Sequence, residues 1–541
     1  MLGGFSNLRK EYILAFLLFL VITIIWSWGY NTAYFASPDA HDYAQMGREI
    51  SSGNGFSTLQ IFPRHVPLLD KKGYLQKENW PNLHRYPLPT ICNALLYKIT
   101  NDIVKAAVLM SGIPFLLSIP VLFLLAFKLT DFKAAVLSTI FFASHSLIFE
   151  SSYNGLSESL ATFLLLSLFL IVFSGQLSMW RCSAMGILSG LCYLTRTQLI
   201  ATLPLVLLFI WISKQKKARF HSIVFFIIGF LLITGPWFAR NILTVGKPIF
   251  SFVNTRALLK GTIHKQSDLE RHRVHTDLEM QLEAPVETSE IFKKYGSAIA
   301  KKVFHNILAL FSLKFWSQDF PSEGIFLLFL FAASIYRRHS GNKSYDFYRD
   351  GIIILFFFSF MIFSLLDHID RLYIPLIPLI YIAGINEILV LFSNLRFSFL
   401  RKFKHVIFYG MLLFGLFRLY NVTMIHKHSP SLISTTEKKS YEFIRQLTDR
   451  DTIIVSNTSH RIALYVACRT IRLPVFPVDL LKINDSYIPI DYVLINRRMG
   501  RNYQYSNYDK FIKSDAFSKK FKFVKVLPDS SFLFRRLEKI N

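Results

Sequence analysis

Apolar runs long enough to cross a membrane recur along this chain, separated by short basic stretches, and that alternation predicts a bundle of membrane helices. A crossing needs about 20 apolar residues, and loops rich in Lys and Arg stay on the cytoplasmic side. The first run, about 12–34, follows Arg9-Lys10 and leads outward. It is longer than a signal-peptide core and lacks a small-residue cleavage site, so it reads as an uncleaved span. Further spans read at about 103–127, 134–150, 158–174, 183–196, 199–213, 221–239, 321–336, 351–366, 372–392 and 405–423, eleven in all. Lys128, Lys133, Arg181, KQKKAR, Arg337-Arg338 and LRFSFLRKFKH then fall inside, and the C-terminus falls outside.

Two outer loops interrupt this pattern. The first, about 35–102, contains PLPTICNALLYKI (Pro87–Ile99), apolar but too short to cross, which predicts an amphipathic helix lying along the interface. The second, about 240–304, is rich in His and Glu between Lys260 and Glu290 and reads as a flexible loop with some helix. An apolar patch at 305–316 reads as another interfacial helix. Residues 1–429 therefore form the transmembrane domain. From about 430 the composition becomes that of a soluble domain: TEKKSYEFIRQL as a helix, TIIVSN and DYVLIN as strands, and a helix around Ala463. That alternation predicts a small α/β domain over 430–541 on the non-cytoplasmic side. The fold class is mainly α and polytopic, with about eleven transmembrane helices.

Composition fits this reading. The chain is 52% hydrophobic with 53 Phe, unlike a soluble multidomain enzyme of 541 residues. Its net charge of +26 would suggest nucleic acid in a soluble protein, but here most Lys and Arg sit between apolar runs, where they orient helices. Nucleic acid is therefore not an expected partner. Cys92, Cys182, Cys192 and Cys468 show no C-x-x-C spacing, which points to packing rather than zinc or disulfides. Walker-type, H-E-x-x-H and G-x-S-x-G signatures are absent, which removes support for ATP-driven transport and zinc hydrolysis.

The candidate chemistry starts in Ser37–Phe56, SPDAHDYAQMGREISSGNGF, at the outer end of the first span. After Pro38, a helix over Tyr43–Ile50 is expected, with Asp42 as N-cap and Gly53 as terminator. Asp39 would precede it. A carboxylate beside a membrane face serves as a base or a metal ligand; the alternative is that Asp39 starts a turn and Asp42 only caps. Topology returns Glu158 to the same face, together with Arg85, Lys105, Arg196, Arg240 and Arg371. Such basic groups could jointly hold an anion such as a lipid phosphate, or snorkel singly at the interface. Tyr43, Tyr86 and Tyr373 lie near them in sequence and read as interfacial packing.

These stretches resemble the polytopic GT-C type glycosyltransferases that use polyprenyl-phosphate sugars, including protein mannosyltransferases and the lipid A aminoarabinose transferase. The resemblance rests on PDAHDYAQMGREISSGNGF, HRYPLPTICNALLYKI, LSESLATFLLL, GILSGLCYLTRTQLIATLP, GPWFARNILTVGKPIF, DRLYIPLIPLIYIAG and SNTSHRIALYVACRTIRLP, in that order. It implies that Asp39, with Tyr43 four residues on, matches the catalytic aspartate, leaving Asp42 as a secondary candidate. Arg85 near Pro87 looks like the aminoarabinose branch's phosphate-binding basic residue, displaced by Tyr86. Glu158 matches an outer acidic residue and carries over as a site wall or acceptor contact, with Tyr43 and Tyr86. The mannosyltransferases' Asp-Glu pair is missing, because Ala40 follows Asp39.

The expected activity is transfer of a sugar from a polyprenyl-phosphate donor to an acceptor hydroxyl on a lipid, glycan or protein at the outer face, by inverting single displacement. Arg85, Lys105, Arg196, Arg371 and Arg240 would cradle the donor phosphate. No cofactor is required, with a divalent metal left open. The expected location is the bacterial inner membrane, with the site and C-terminal domain on the periplasmic or extracellular face. A polysaccharide-lipid flippase or transporter is the rival reading. Transporters concentrate ionisable groups at the midplane, whereas here they gather at outer span ends.

Overall fold

The computed structural model describes residues 2–30, 37–174, 177–213, 216–259, 281–283, 287–309, 312, 323–336, 343–366, 370–393, 404–428, 433–496 and 508–537. Most of the His- and Glu-rich part of the second loop, most of the apolar patch beyond residue 309, Arg337-Arg338 and most of LRFSFLRKFKH lie outside the described residues.

Each of the eleven apolar stretches corresponds to a helix. The segments are Leu2–Trp28, Ile103–Leu129, Phe132–Ser144, Glu158–Phe173, Met179–Thr195, Thr202–Ser213, Lys216–Val245, Gly324–Tyr336, Lys343–Leu366, Ile377–Ser393 and Lys404–Lys427. Five helical stretches are long and apolar enough to cross a membrane by length and composition: Glu11–Trp28, Ile103–Leu129, Ala218–Val245, Ile374–Phe392 and Val406–Lys427. Capping side chains start several helices. Asp102 accepts from the amides of Val104 and Lys105, and Asp131 accepts from that of Ala134. The stretch read as one span at 134–150 breaks at His145 and resumes as Ser146–Ser151, and the Ser144 carbonyl at the break accepts from Arg418 Nη2 at 3.3 Å.

The helices Met179–Thr195 and Lys216–Val245 cross closely because of two glycines. A Cβ on Gly186 would drive into the Phe226 carbonyl, and one on Gly229 into the Ser183 carbonyl. Small residues let backbones approach in this way. The crossing brings Tyr193 and Trp237, one from each helix, into one buried cluster with Tyr86 of the first loop, whose ring meets both.

In the first loop the helix Pro87–Thr100 packs along the helix Pro38–Ser51, with Gly47 seated on Asn93. Ile91, Leu95 and Ile99, four apart, face outward, while Thr90, Asn93 and Ala94 are buried. This is the arrangement expected of a helix lying along the interface. The loop also contains β1 (Ser57–Thr58), β2 (Gln60–Ile61) and β3 (Trp80–Pro81), with β1 antiparallel to β3.

The C-terminal region adds β4 (Ile453–Ser456), β5 (Arg469–Arg472), β6 (Tyr492–Asn496), β7 (Phe521–Val526) and β8 (Ser531–Arg536). The sheet order is β2-β5-β4-β6-β8-β7, so its first strand comes from the first loop rather than from residues beyond 430. β2, β5, β4 and β6 run parallel, and β4 is buried along its whole length, as a strand covered on both faces must be. Arg48 of the first-loop helix donates to the carbonyls of Ala463 and Leu464, at 2.8 Å each. Thr470 donates its amide to Leu59 at 2.6 Å. A single hydrophobic cluster runs from Ile61, Val66 and Trp80 to Ile453, Ile471 and Val493, so loop and domain share a core.

Candidate active site

The site helix begins earlier than expected. Pro38 takes its first position, where a missing N–H costs nothing and a fixed φ is already helical, and Ser37 precedes it with extended backbone. Asp42 is therefore not an N-cap. It sits inside the helix, three residues after Asp39, so the two carboxylates share one face. Asp39 lies in the first turn, where the helix dipole favours negative charge. The C-terminal end is as expected, with Gly53 at φ 83° just past Ser52.

Arg85 is presented by a local turn. Asn82 Oδ1 accepts from the amides of His84 and Arg85, and Asn82 Nδ2 donates to the Arg85 carbonyl. From this turn Arg85 reaches both carboxylates: its Nη2 donates to Asp39 Oδ1 at 2.5 Å and to Asp42 Oδ2 at 2.7 Å, and its Nε donates to Asp42 Oδ2 at 3.1 Å. Arg371, in the turn Asp370–Leu372, donates from Nη2 to Asp39 Oδ2 at 2.7 Å, and its Nε lies 3.9 Å from Glu158 Oε1. Glu158, in the first turn of its helix, is in turn 2.7 Å from Arg196 Nη1. The result is an unbroken file of alternating charge, Asp42, Arg85, Asp39, Arg371, Glu158, Arg196, drawn from separate parts of the chain.

Burial sets the electrostatics of this file. It pushes the Asp42 carboxyl up to about 6, against the opposing pull of Arg85 and with help from neighbouring Asp39. Burial also works against the charge on Arg85, but the two aspartates outweigh it and hold the guanidinium above its ordinary pKa. Asp39 is the main reason that Arg371 is likewise raised. Arg371 is the most open cation of the file, with 36% of its side chain exposed against 10% for Arg85 and for Arg196.

The other expected residues divide around the file. Tyr43 is buried with the Arg85 guanidinium over its ring, 5.6 Å from ring centroid to carbon. Tyr86 meets Tyr193 edge-on at 5.8 Å. Tyr373 is buried in the bundle core. Arg240 lies over the rings of Phe56 and Trp237 and donates to the Asn82 carbonyl at 2.7 Å and to Asn241 Oδ1 at 3.1 Å. Lys105 stands apart, its exposed ammonium 3.9 Å from Asp102 of its own helix cap. Among the described residues no three His, Cys, Asp or Glu side chains come together as metal ligands.

The C-terminal domain adds residues that local sequence does not point to. His460 lies with its ring centroid 5.2 Å from that of His41 on the site helix, and Arg472 of β5 acts electrostatically on Asp42. Arg472 Nη1 approaches His460 Nδ1 at 2.8 Å; a guanidinium only donates, so that ring is neutral with Nδ1 as acceptor. His41 directs Nδ1–H to the Ser37 carbonyl at 2.7 Å, and burial holds its pKa down to about 3. The stretch SNTSHRIALYVACRTIRLP carries these side chains, but nothing in local spacing ties residue 460 to residue 41.

The architecture is the GT-C fold of polytopic membrane glycosyltransferases. The chain is similar to the crystal structure of ArnT from Cupriavidus metallidurans bound to undecaprenyl phosphate, with a TM-score of 0.60 and 11% identity over 97% of this chain and 98% of that one. It is also similar to the archaeal oligosaccharyltransferase AglB from Archaeoglobus fulgidus in complex with an inhibitory peptide and a dolichol-phosphate. That match has a TM-score of 0.59 and 11% identity, covering 98% of this chain and 75% of the other. No family model and no curated protein matches the sequence.

Proposed function

We propose that this protein is a membrane glycosyltransferase that moves a sugar from a polyprenyl-phosphate-linked donor to an acceptor hydroxyl, inverting the anomeric carbon in one displacement. The observation that carries this reading is the file of alternating carboxylates and guanidinium groups beside the first loop of a GT-C fold. Sugar transfer needs a base for the incoming hydroxyl and fixed positive charge for the departing phosphate, and both kinds of group stand together here. The likeness to chains that bind undecaprenyl phosphate or a dolichol-phosphate supports a lipid-linked donor.

Arg371 and Arg240 are the proposed phosphate contacts. Arg371 is the most exposed cation of the file, and Arg240 has a carbonyl, an amide and two rings as its contacts, with no carboxylate among the described residues. Arg85 and Arg196 stand behind them, each paired with carboxylates and only 10% exposed. The acceptor approaches beneath the C-terminal domain, on the non-cytoplasmic side, and the reaction needs no resident cofactor.

The test is transfer by the purified protein in nanodiscs from a panel of polyprenyl-phosphate sugars, with and without a chelator, with product configuration read by NMR. Inverted product formed equally in chelator is expected. A product with retained configuration overturns the single displacement, and loss of turnover in chelator overturns the cofactor-free reaction.

A further inference from the structure

The two aspartates of the site helix are not equivalent. Asp39 has spent both oxygens on guanidinium groups, Oδ1 on Arg85 at 2.5 Å and Oδ2 on Arg371 at 2.7 Å. Asp42 has spent only Oδ2, which accepts from Nη2 and Nε of Arg85 at 2.7 and 3.1 Å. Asp42 Oδ1 accepts no hydrogen bond among the described residues. Unlike Glu158 Oε2, it is not sealed from solvent, since 10% of the Asp42 side chain remains open.

A general base must bring a lone pair within hydrogen-bond reach of the proton it takes. An oxygen already held by a cationic donor keeps a second lone pair, but a charged donor favours the ionised carboxylate, which makes it a weaker base, and crowds the approach of another proton donor. We propose that Asp42, rather than Asp39, takes the proton of the attacking hydroxyl, and that Asp39 is a positioning residue holding Arg85 and Arg371 in place. The inference rests on the sugar-transfer reading.

In the step, the acceptor oxygen forms a bond to the anomeric carbon while the bond from that carbon to the donor phosphate oxygen breaks. The electron pair leaves with the polyprenyl phosphate, and the hydroxyl proton passes to Asp42 Oδ1. Burial around Asp42 suits this role, since a carboxyl pushed up to about 6 is ionised at neutral pH yet more basic than an ordinary aspartate. It returns the proton to solvent through its exposed edge. Asp39 meanwhile fixes the separation of the two arginines, one on the first loop and one on the turn at Asp370–Leu372.

The experiment compares Asp42→Asn, Asp42→Glu and Asp39→Asn in the full-length protein, reading kcat against pH and, at one fixed pH, binding of undecaprenyl phosphate. A glycosyl phosphate donor is a diester with no titration near pH 6, so an acid limb there belongs to the protein. Wild-type kcat should climb through pH about 6. Asp42→Asn, which keeps a carbonyl for Arg85, should lose at least about a hundredfold in kcat together with the limb, with lipid binding within about twofold. Asp42→Glu should recover part of the turnover with a displaced limb. Asp39→Asn should weaken undecaprenyl phosphate binding about tenfold or more, while its residual turnover keeps the limb. Turnover by Asp42→Asn within tenfold of wild type with the limb intact overturns the assignment, as does loss of the limb in Asp39→Asn alone. A wild-type protein that binds no undecaprenyl phosphate and uses no donor overturns the sugar-transfer reading itself, and this assignment with it.

Discussion

Replacing Arg85 by lysine separates two roles that the residue could play. Arg85 serves two carboxylates through a planar fork, with Nη2 between Asp39 and Asp42 and Nε on Asp42. A lysine ammonium is a single point charge and satisfies one of them well, so at least one charge-assisted contact is lost, at about 1.5–3 kcal/mol. The direction at Asp42 follows from the causes of its shift. Burial raises its pKa and Arg85 lowers it, so weakening Arg85 lets the value climb further above about 6. A rise of one unit, equivalent to about 1.4 kcal/mol, leaves roughly half of Asp42 protonated at pH 7. The acid limb of kcat in Arg85→Lys should therefore move up by about a unit or more, with the deficit shrinking at pH 8.5 and the donor KM little changed. If Arg85 is instead a direct phosphate ligand, the donor KM rises about ten- to a hundredfold and the limb stays in place. Steady-state kinetics across pH at saturating and limiting donor distinguish these outcomes. An unmoved limb refutes the role of Arg85 as the group that tunes Asp42.

Arg240→Ala should raise the donor KM about ten- to a hundredfold at nearly constant kcat, because its guanidinium has only neutral partners among the described residues; unchanged donor use refutes its phosphate role. Arg48→Ala removes two contacts to the carbonyls of Ala463 and Leu464 and should cost about 3 kcal/mol, read as a lowered Tm; an unchanged Tm would mean that the loop and domain are held by their shared core alone. A reporter active only in the cytoplasm, fused after Asn541, should be silent if the eleven spans expected from the sequence start from an inside N-terminus; strong activity would refute that count.

The helices are legible in the sequence because a crossing segment must be apolar along nearly its whole length, and each apolar stretch falls on helix, with 134–150 broken in two at His145. The interfacial helix is legible from its length and from Ile91, Leu95 and Ile99 on one face. The start of the site helix is not, because Asp42 is a good capping residue in isolation, whereas Pro38 at the first helical position decides the boundary. β2 escapes a sequence reading because two residues, Gln60 and Ile61, carry no period; only their pairing with Thr470 and Ile471 makes them a strand. Ionisable groups inside the bundle are equally hidden. Arg418 pairs with Glu323, and Tyr345 donates to Glu387 at 2.8 Å, contacts between helices that no local pattern announces.

Membership of the site is legible while its wiring is not, and the wiring changes the chemistry. A set of basic residues on one face suggests a cradle waiting for an anion, but Arg371 and Asp39 are 332 residues apart, and no spacing along the chain signals that they pair. Once paired, Asp39, Asp42 and Glu158 balance Arg85, Arg196 and Arg371, so the file is neutral when all its members are ionised. A lipid phosphate entering such a site meets little net field from the file as a whole, so the exposed Arg371 needs a further cation beside the file. Arg240 is placed for that task, next to the Asn82 turn that presents Arg85 and without an acid of its own among the described residues. The neutral file is then best suited to the other half of the reaction. It holds two carboxylates with different partners on one helix face, so that one organises the arginines and the other keeps an oxygen for the acceptor.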